Sequence, residues 1–124
     1  MSRTHIGIDI IEISRIRSAV ERWGDKFLNR IYTVPELERY RGKTESLAAR
    51  FAGKEAVMKA LNLTGLGVSW REIEILSTSG GKPAIRLYGH MLERANSLGL
   101  GTLEITLSHS RENAIALVFG VKEV

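Results

Sequence analysis

The longest helical pattern in the chain runs from Thr44 to about Leu61, and it constrains the fold more than any other segment. Its apolar side chains recur every three or four residues, at Leu47, Ala48, Phe51, Ala52, Met58 and Leu61. This spacing lines them up as one stripe along a helix. Such a stripe has to be covered by other elements, so we expect the helix to lie against the core. Gly65 and Gly67 follow it and predict a loop.

The segments before this helix predict one strand and two shorter helices. Isoleucines at positions 6, 8 and 10 alternate with other residues, a pattern typical of a half-buried strand. Ser14 is expected to cap a helix that continues to about Trp23. Residues 33–36 read Thr-Val-Pro-Glu, which has the form of a capping box with proline in the first turn. They predict a short helix that ends near Gly42.

The second half of the chain is dominated by strand patterns. Alternating apolar residues predict strands at residues 72–76, 85–87 and 103–107, with a mostly apolar strand at 114–121. Turn residues at 79–83 and 111–113 separate strand pairs, and a helix is expected at about 89–97. Helices in the first half and antiparallel strands in the second predict an α+β fold. We find no repeat or linker, so residues 1–124 are expected to form a single domain.

Composition narrows the classes of protein that remain. Eighteen Lys and Arg against fourteen Asp and Glu give a formal charge of +4, which favours an anionic partner without requiring one. Nucleic acid, a phosphorylated small molecule and an acidic protein all remain open. The chain has no cysteine, so disulfides and thiolate metal sites are excluded. With no apolar run of about 20 residues and no signal-peptide pattern, we expect a soluble, cytoplasmic protein without a membrane partner.

Two carboxylates lie in apolar surroundings and are candidates for a metal site. Asp9 interrupts the isoleucine-rich strand, and Glu55 borders the apolar stripe of the long helix. Burying either charge alone is costly, so each requires solvent, a salt bridge or a cation. Mg²⁺ prefers one or two carboxylates together with water and substrate phosphates. A solvated or salt-bridged pair is the alternative for each acid, and for Glu55 the partner would be Lys59, one helical turn later.

Basic residues in three places are candidates for binding phosphate. Arg50, Lys54 and Lys59 share the long helix with Glu55, and Lys82 lies in a Gly-Gly-Lys-Pro turn whose glycines allow close approach to an anion. His109 lies between two serines at the end of a strand, although a lone histidine is more often structural.

A further basic pattern occupies the first predicted helix. Arg15, Arg22 and Lys26 recur at i, i+7 and i+11, which would put three cations on one helix face with Ala19 between them. The face is either solvated or a docking surface for an acidic helix.

Four short segments resemble the sequence motifs of bacterial holo-[acyl-carrier-protein] synthases. They read GIDIIEISRI from Gly7, RFAGKEAVMKA from Arg50, GKP from Gly81 and LSHS from Leu107. The motifs occur in the order found in that family and span nearly the whole chain.

The resemblance implies the 4′-phosphopantetheinyl transferase fold, with helices packed on an antiparallel sheet and a homotrimer that has its active sites between subunits. It implies that Asp9 and Glu55 bind Mg²⁺ and that the helix bearing Arg15, with Arg22, docks an acidic acyl carrier protein. It also implies that coenzyme A, the co-substrate, is bound by Arg50, Lys59, Lys82, Pro83, Ser108 and His109.

The reaction that the resemblance implies is attack by a carrier serine on the β-phosphate of coenzyme A. Lys59 would act at the leaving phosphate, and either Glu55 or a metal-bound water would accept the serine proton; the sequence leaves both open. A nucleic-acid-binding domain and a metal-dependent phosphohydrolase are the rival interpretations. The first is disfavoured because only 6% of residues are aromatic, which leaves few platforms for stacking bases.

Overall fold

The computed structural model describes residues 3–63 and 69–123. The predicted loop at Gly65 and Gly67 lies outside the described residues. The helices are α1 to α5 and the strands β1 to β5, and a short 3-10 helix precedes β2. In chain order the elements are β1 (Thr4–Glu12), α1 (Ile13–Trp23), α2 (Asp25–Ile31), α3 (Val34–Tyr40), α4 (Thr44–Ala60), the 3-10 helix (Trp70–Glu72), β2 (Ile73–Ser77), β3 (Pro83–Leu87), α5 (Gly89–Ser97), β4 (Leu100–His109) and β5 (Asn113–Lys122).

The predicted α+β fold is confirmed. Strands β1, β5 and β4 form an antiparallel sheet in that order, and β2 and β3 form a separate antiparallel pair. Helix α4 lies across β1 and β5 and also contacts β2 and β4. It is buried on nearly all sides rather than along a single stripe. Within the parts of the chain that the structure describes, no helix is long and apolar enough to cross a membrane.

Small residues allow β1 to pack directly on α4. A side chain at Gly7 would collide with the backbone carbonyl of Ala56, so only glycine fits at this crossing. Gly7 is buried and Asp9 is partly buried on the same face of β1, toward α4. The strand therefore points the Asp9 side chain at the helix that carries Glu55.

The isoleucines of β1 face away from α4. Ile6, Ile8 and Ile10 are 57%, 52% and 61% exposed, and they lie beside exposed Phe119 and Leu117 of β5. A period of two predicts a strand with two faces, but it does not say which face meets the core. Here the close approach of α4 requires glycine, which assigns the inner face to the Gly7 side.

The first helix ends at Trp23 as predicted, but its start and the segment that follows it differ from the prediction. Helix α1 begins at Ile13, so Ser14 lies inside it, and Glu12 is the N-cap residue without a side-chain cap. Helix α2 was not predicted; it follows Gly24, whose φ of +57° turns the chain. The capping box of α3 is confirmed, because Thr33 Oγ1 accepts from the Glu36 N–H at 3.3 Å and Glu36 Oε1 accepts from the Thr33 N–H at 2.8 Å.

Candidate active site

Asp9 and Glu55 meet where β1 crosses α4. Both line one open cavity of about 300 Å³, together with Arg15 of α1 and the aromatic side chains of Phe27 and Phe51. The sequence prediction that the two acids converge is consistent with this geometry, although they are 46 positions apart in the chain.

Glu55 lies in an electrostatically unfavourable position. Partial burial raises the pKa of its carboxyl, and the nearby charge of Asp9 raises it further, while Lys59 and Arg15 lower it. Within the described residues, its carboxylate makes no hydrogen bond or ion pair. A partly desolvated, unpaired carboxylate beside a second acid is stabilised by any cation that enters the cavity.

Lys59 binds Asp9 rather than Glu55. Its Nζ donates to Asp9 Oδ1 at 3.0 Å and to the Ile8 carbonyl at 2.9 Å. The alternative i,i+4 pair of Glu55 with Lys59 is therefore not formed. The sequence could not reveal this, because the two acceptors come from β1, fifty residues away.

The donor set fits a magnesium ion. The described residues contain no group of three or more His, Cys, Asp or Glu side chains suited to a metal. Magnesium does not need one, because it commonly takes only one or two protein carboxylates and completes its octahedron with water and substrate phosphates. Asp9 and Glu55 match that requirement, and among residues 3–63 and 69–123 Glu55 has no hydrogen-bond or ion-pair partner to give up.

Two basic residues of α4, Arg50 and Lys54, make their hydrogen bonds in the protein interior. Arg50 is buried with its guanidinium 3.8 Å above the Tyr40 ring, and it donates to Ser77 Oγ and to the Ile75 carbonyl. Lys54 is fully buried, so it is not open to the phosphate for which the sequence made it a candidate. Arg50 as a contact of coenzyme A stays a prediction.

Lys54 belongs to a buried polar network that the sequence did not predict. Its Nζ donates to Glu36 Oε1 at 2.7 Å and to the carbonyls of Ile31 and Trp70. Burial lowers the pKa of the Lys54 ammonium, and Glu36 opposes that shift. Glu36 Oε2 also accepts from the Ile75 N–H at 2.8 Å. The only sequence signal was the capping-box position of Glu36.

The remaining phosphate candidates lie outside this cavity. Lys82 is exposed and pairs with Glu104 at 3.1 Å, and Pro83 is the first residue of β3. Ser108 and His109 are exposed at the end of β4. His109 Nδ1 lies 3.8 Å from Glu45, in the first turn of α4. These residues do not line the cavity that holds Asp9 and Glu55.

The predicted basic face is interrupted. Arg15 and Arg22 are both exposed on α1, but Lys26 lies on α2, beyond the turn at Gly24, so the three do not share one helix. Lys26 lines a second cavity, of about 320 Å³, with Trp23, Phe27 and Arg30. Phe27 lines both cavities.

Comparison with known proteins gives one consistent family. The family model of the 4′-phosphopantetheinyl transferase superfamily matches residues 5–118. The holo-[acyl-carrier-protein] synthase of Herpetosiphon aurantiacus is 48% identical, over 93% of this chain and 96% of the relative. That of Dehalococcoides mccartyi strain 195 is 51% identical, over 92% and 95%.

Solved structures agree with this result. The Helicobacter pylori holo-[acyl-carrier-protein] synthase, solved with coenzyme A, superposes with a TM-score of 0.81 at 36% identity over 91% of this chain and 96% of that one. The Neisseria meningitidis synthase gives 0.84 at 32% identity over 95% and 98%. The chain belongs to the 4′-phosphopantetheinyl transferase superfamily, within its holo-[acyl-carrier-protein] synthase family.

Proposed function

We propose that this chain acts as one transferase domain that moves 4′-phosphopantetheine from coenzyme A to a serine of an acyl carrier protein, releasing adenosine 3′,5′-bisphosphate. The observation that carries the proposal is the convergence of Asp9, Glu55 and Lys59 where β1 crosses α4. Two acids and one ammonium beside an open cavity suit a pyrophosphate together with a cation. The relatives that share most of this sequence are holo-[acyl-carrier-protein] synthases.

The cation in this proposal is Mg²⁺, held by Asp9 and Glu55. When bound, it neutralises the pyrophosphate oxygens and stabilises the charge that develops during transfer. Phosphoryl transfer asks the protein mainly for positioning and charge compensation, which the residues around the cavity supply.

The side chains of this chain have separate tasks in the proposal. Lys59 supplies a positive charge for the leaving phosphate, since its side chain is half exposed. Glu55 lines the cavity and is the side chain proposed to accept the proton of the carrier serine. Arg15 lines the same cavity and adds a second positive charge at its rim.

We infer that coenzyme A is bound between copies of the chain. Its proposed contacts are Arg50, Lys59, Lys82, Pro83, Ser108 and His109. Lys82, Ser108 and His109 are exposed outside the cavity of Asp9 and Glu55, so a neighbouring copy is a natural source for some of them.

A homotrimer is the assembly in this proposal. The outer face of the β1–β5–β4 sheet carries neighbouring exposed apolar side chains on β1 and β5, and exposed apolar patches mark association sites. It includes Ile6, Ile8, Ile10, Leu117, Phe119 and Val121, each at least 40% exposed.

The carrier docks on α1 in the same proposal. Arg15 and Arg22 are exposed and present positive charge to an acidic partner, and Arg15 links that surface to the cavity. Charge complementarity of this kind speeds encounter and fixes orientation.

The test is a mass measurement on an apo acyl carrier protein incubated with this protein, coenzyme A and Mg²⁺. We expect the carrier to gain the mass of one phosphopantetheine, and Asp9→Asn and Glu55→Gln each to slow the gain by orders of magnitude. Glu93→Gln, on the exposed face of α5, is the matched control and should leave the rate unchanged. Release of inorganic phosphate without carrier modification would instead identify a phosphohydrolase.

A further inference from the structure

Lys59 forms an ion pair with Asp9, the carboxylate that the proposed cation also requires. Its ammonium lies 3.0 Å from Asp9 Oδ1, and a second hydrogen bond, to the Ile8 carbonyl, holds it there. The Asp9 side chain is only 17% exposed, whereas that of Lys59 is 50% exposed. Asp9 is therefore the more enclosed of the two, and Lys59 is the partner whose side chain is open to another anion from solvent.

A divalent cation and this ammonium are competitors for Asp9. At such short separations, partly shielded from water, two positive charges repel strongly, and a double charge doubles the effect. Glu55 lies one helical turn from Lys59, but the proposed cation would engage it together with Asp9, so it offers the ammonium no replacement for Asp9. Lys59 can leave Asp9 at low cost only when another anion receives it.

We propose that Lys59 is an internal counter-ion that lowers the affinity of the free protein for its cation, and that the pyrophosphate of coenzyme A relieves this competition by drawing the ammonium away from Asp9. The inference rests on the proposed function and adds to it a coupling between metal and coenzyme A. By linkage, each ligand then raises the affinity for the other by the same factor.

Removing the ammonium should strengthen metal binding by the protein alone. In Lys59→Met the side chain stays long and unbranched but loses its charge, so Asp9 is left to the cation. We expect Mn²⁺, used as a paramagnetic probe, to bind coenzyme-A-free Lys59→Met at least about fivefold more tightly than the unchanged protein, at the lower end of typical coupling factors. Lys59→Arg keeps the charge and should stay close to the unchanged protein.

The matched control is Lys43→Met. It removes the same charge just before the first residue of α4, about 24 Å from Lys59 at 1.5 Å per residue. Free Mn²⁺ is measured by electron paramagnetic resonance, after circular dichroism has established that each variant is folded. We expect Lys43→Met to bind Mn²⁺ as the unchanged protein does.

An equal or weaker Mn²⁺ affinity in Lys59→Met overturns the proposal. If Lys59 only bound phosphate, its removal would leave the Mn²⁺ affinity of the coenzyme-A-free protein unchanged or would lower it. Full Mn²⁺ affinity in Asp9→Asn also overturns it, by removing the carboxylate over which the two cations compete. Neither measurement involves transfer. Absence of carrier modification would refute the proposed function, whereas these affinities refute the role of Lys59.

Discussion

Replacing Lys54 by methionine should destabilise the fold far more than the same change at a surface lysine. The Lys54 ammonium is fully enclosed and has three acceptors, the nearest being Glu36 Oε1 at 2.7 Å. Its loss leaves a buried carboxylate without a counter-ion, which typically costs about 3–5 kcal/mol. The N–H groups of Thr33 and Ile75 still donate to Glu36, so we expect a value near the lower limit.

This cost translates into a large thermal shift. Unfolding entropies of about 2.1 cal/mol/K per residue give ~0.26 kcal/mol/K for a chain of 124 residues. A loss of ~3 kcal/mol then lowers Tm by about 12 °C. Calorimetry and urea unfolding should be run at one protein concentration, since association would stabilise the folded chain.

Lys82→Met is the internal comparison. Lys82 also pairs with a glutamate, Glu104, but the two side chains are 68% and 60% exposed. Exposed pairs contribute at most about 1 kcal/mol, so Tm should fall by no more than about 4 °C. If Lys54→Met and Lys82→Met shift Tm equally, the buried pair does not stabilise the fold and the reasoning fails.

Four further predictions concern the site and its surroundings. Gly7→Ala should lower the free energy of unfolding by about 1–3 kcal/mol in urea, because the added methyl meets the Ala56 carbonyl. In metal-free buffer at neutral pH, Glu55→Gln should raise the free energy of unfolding in urea by less than about 1 kcal/mol, since the site is partly solvated. Because the folded-state pKa of Glu55 is raised, the native carboxyl favours its protonated form, so this advantage should vanish as the pH falls to about 4.5 and below. Phe119→Lys puts a charge on the exposed apolar sheet face, and light scattering should then give a smaller particle if that face joins copies. Arg22→Glu should raise the KM for the carrier, less so at high salt, and leave coenzyme A affinity unchanged.

The elements with strong local signals were predictable from the sequence. Helix α4 follows its helical spacing, and α3 follows its capping box, which both hydrogen bonds confirm. The β2–β3 pair follows from the turn residues between two alternating runs. In each case the residues that determine the structure lie within a few positions of one another.

One error has a local cause, and the others arise where a distant segment decides the outcome. The pattern at Arg15, Arg22 and Lys26 assumed one continuous helix, and the positive φ at Gly24 ends it. The burial of Lys54 depends on Glu36, eighteen residues earlier, and the partner of Lys59 is supplied by β1. Residue spacing within one element does not show contacts between elements. The sequence therefore predicted the candidate site residues more accurately than it predicted the partner of each one.

The charged residues of α4 show how stability and chemistry share one helix. Successive residues are rotated by about 100°, so Lys54 and Glu55 point in clearly different directions, whereas Lys59 returns to within about 40° of Glu55. Lys54 makes its three contacts in the interior of the protein. On the same helix, Glu55 lines the cavity and Lys59 binds Asp9. The orientation of α4 that buries Lys54 is therefore the one that brings Glu55 to the cavity and Lys59 to Asp9, so the buried ion pair and the acid pair depend on a single helix orientation.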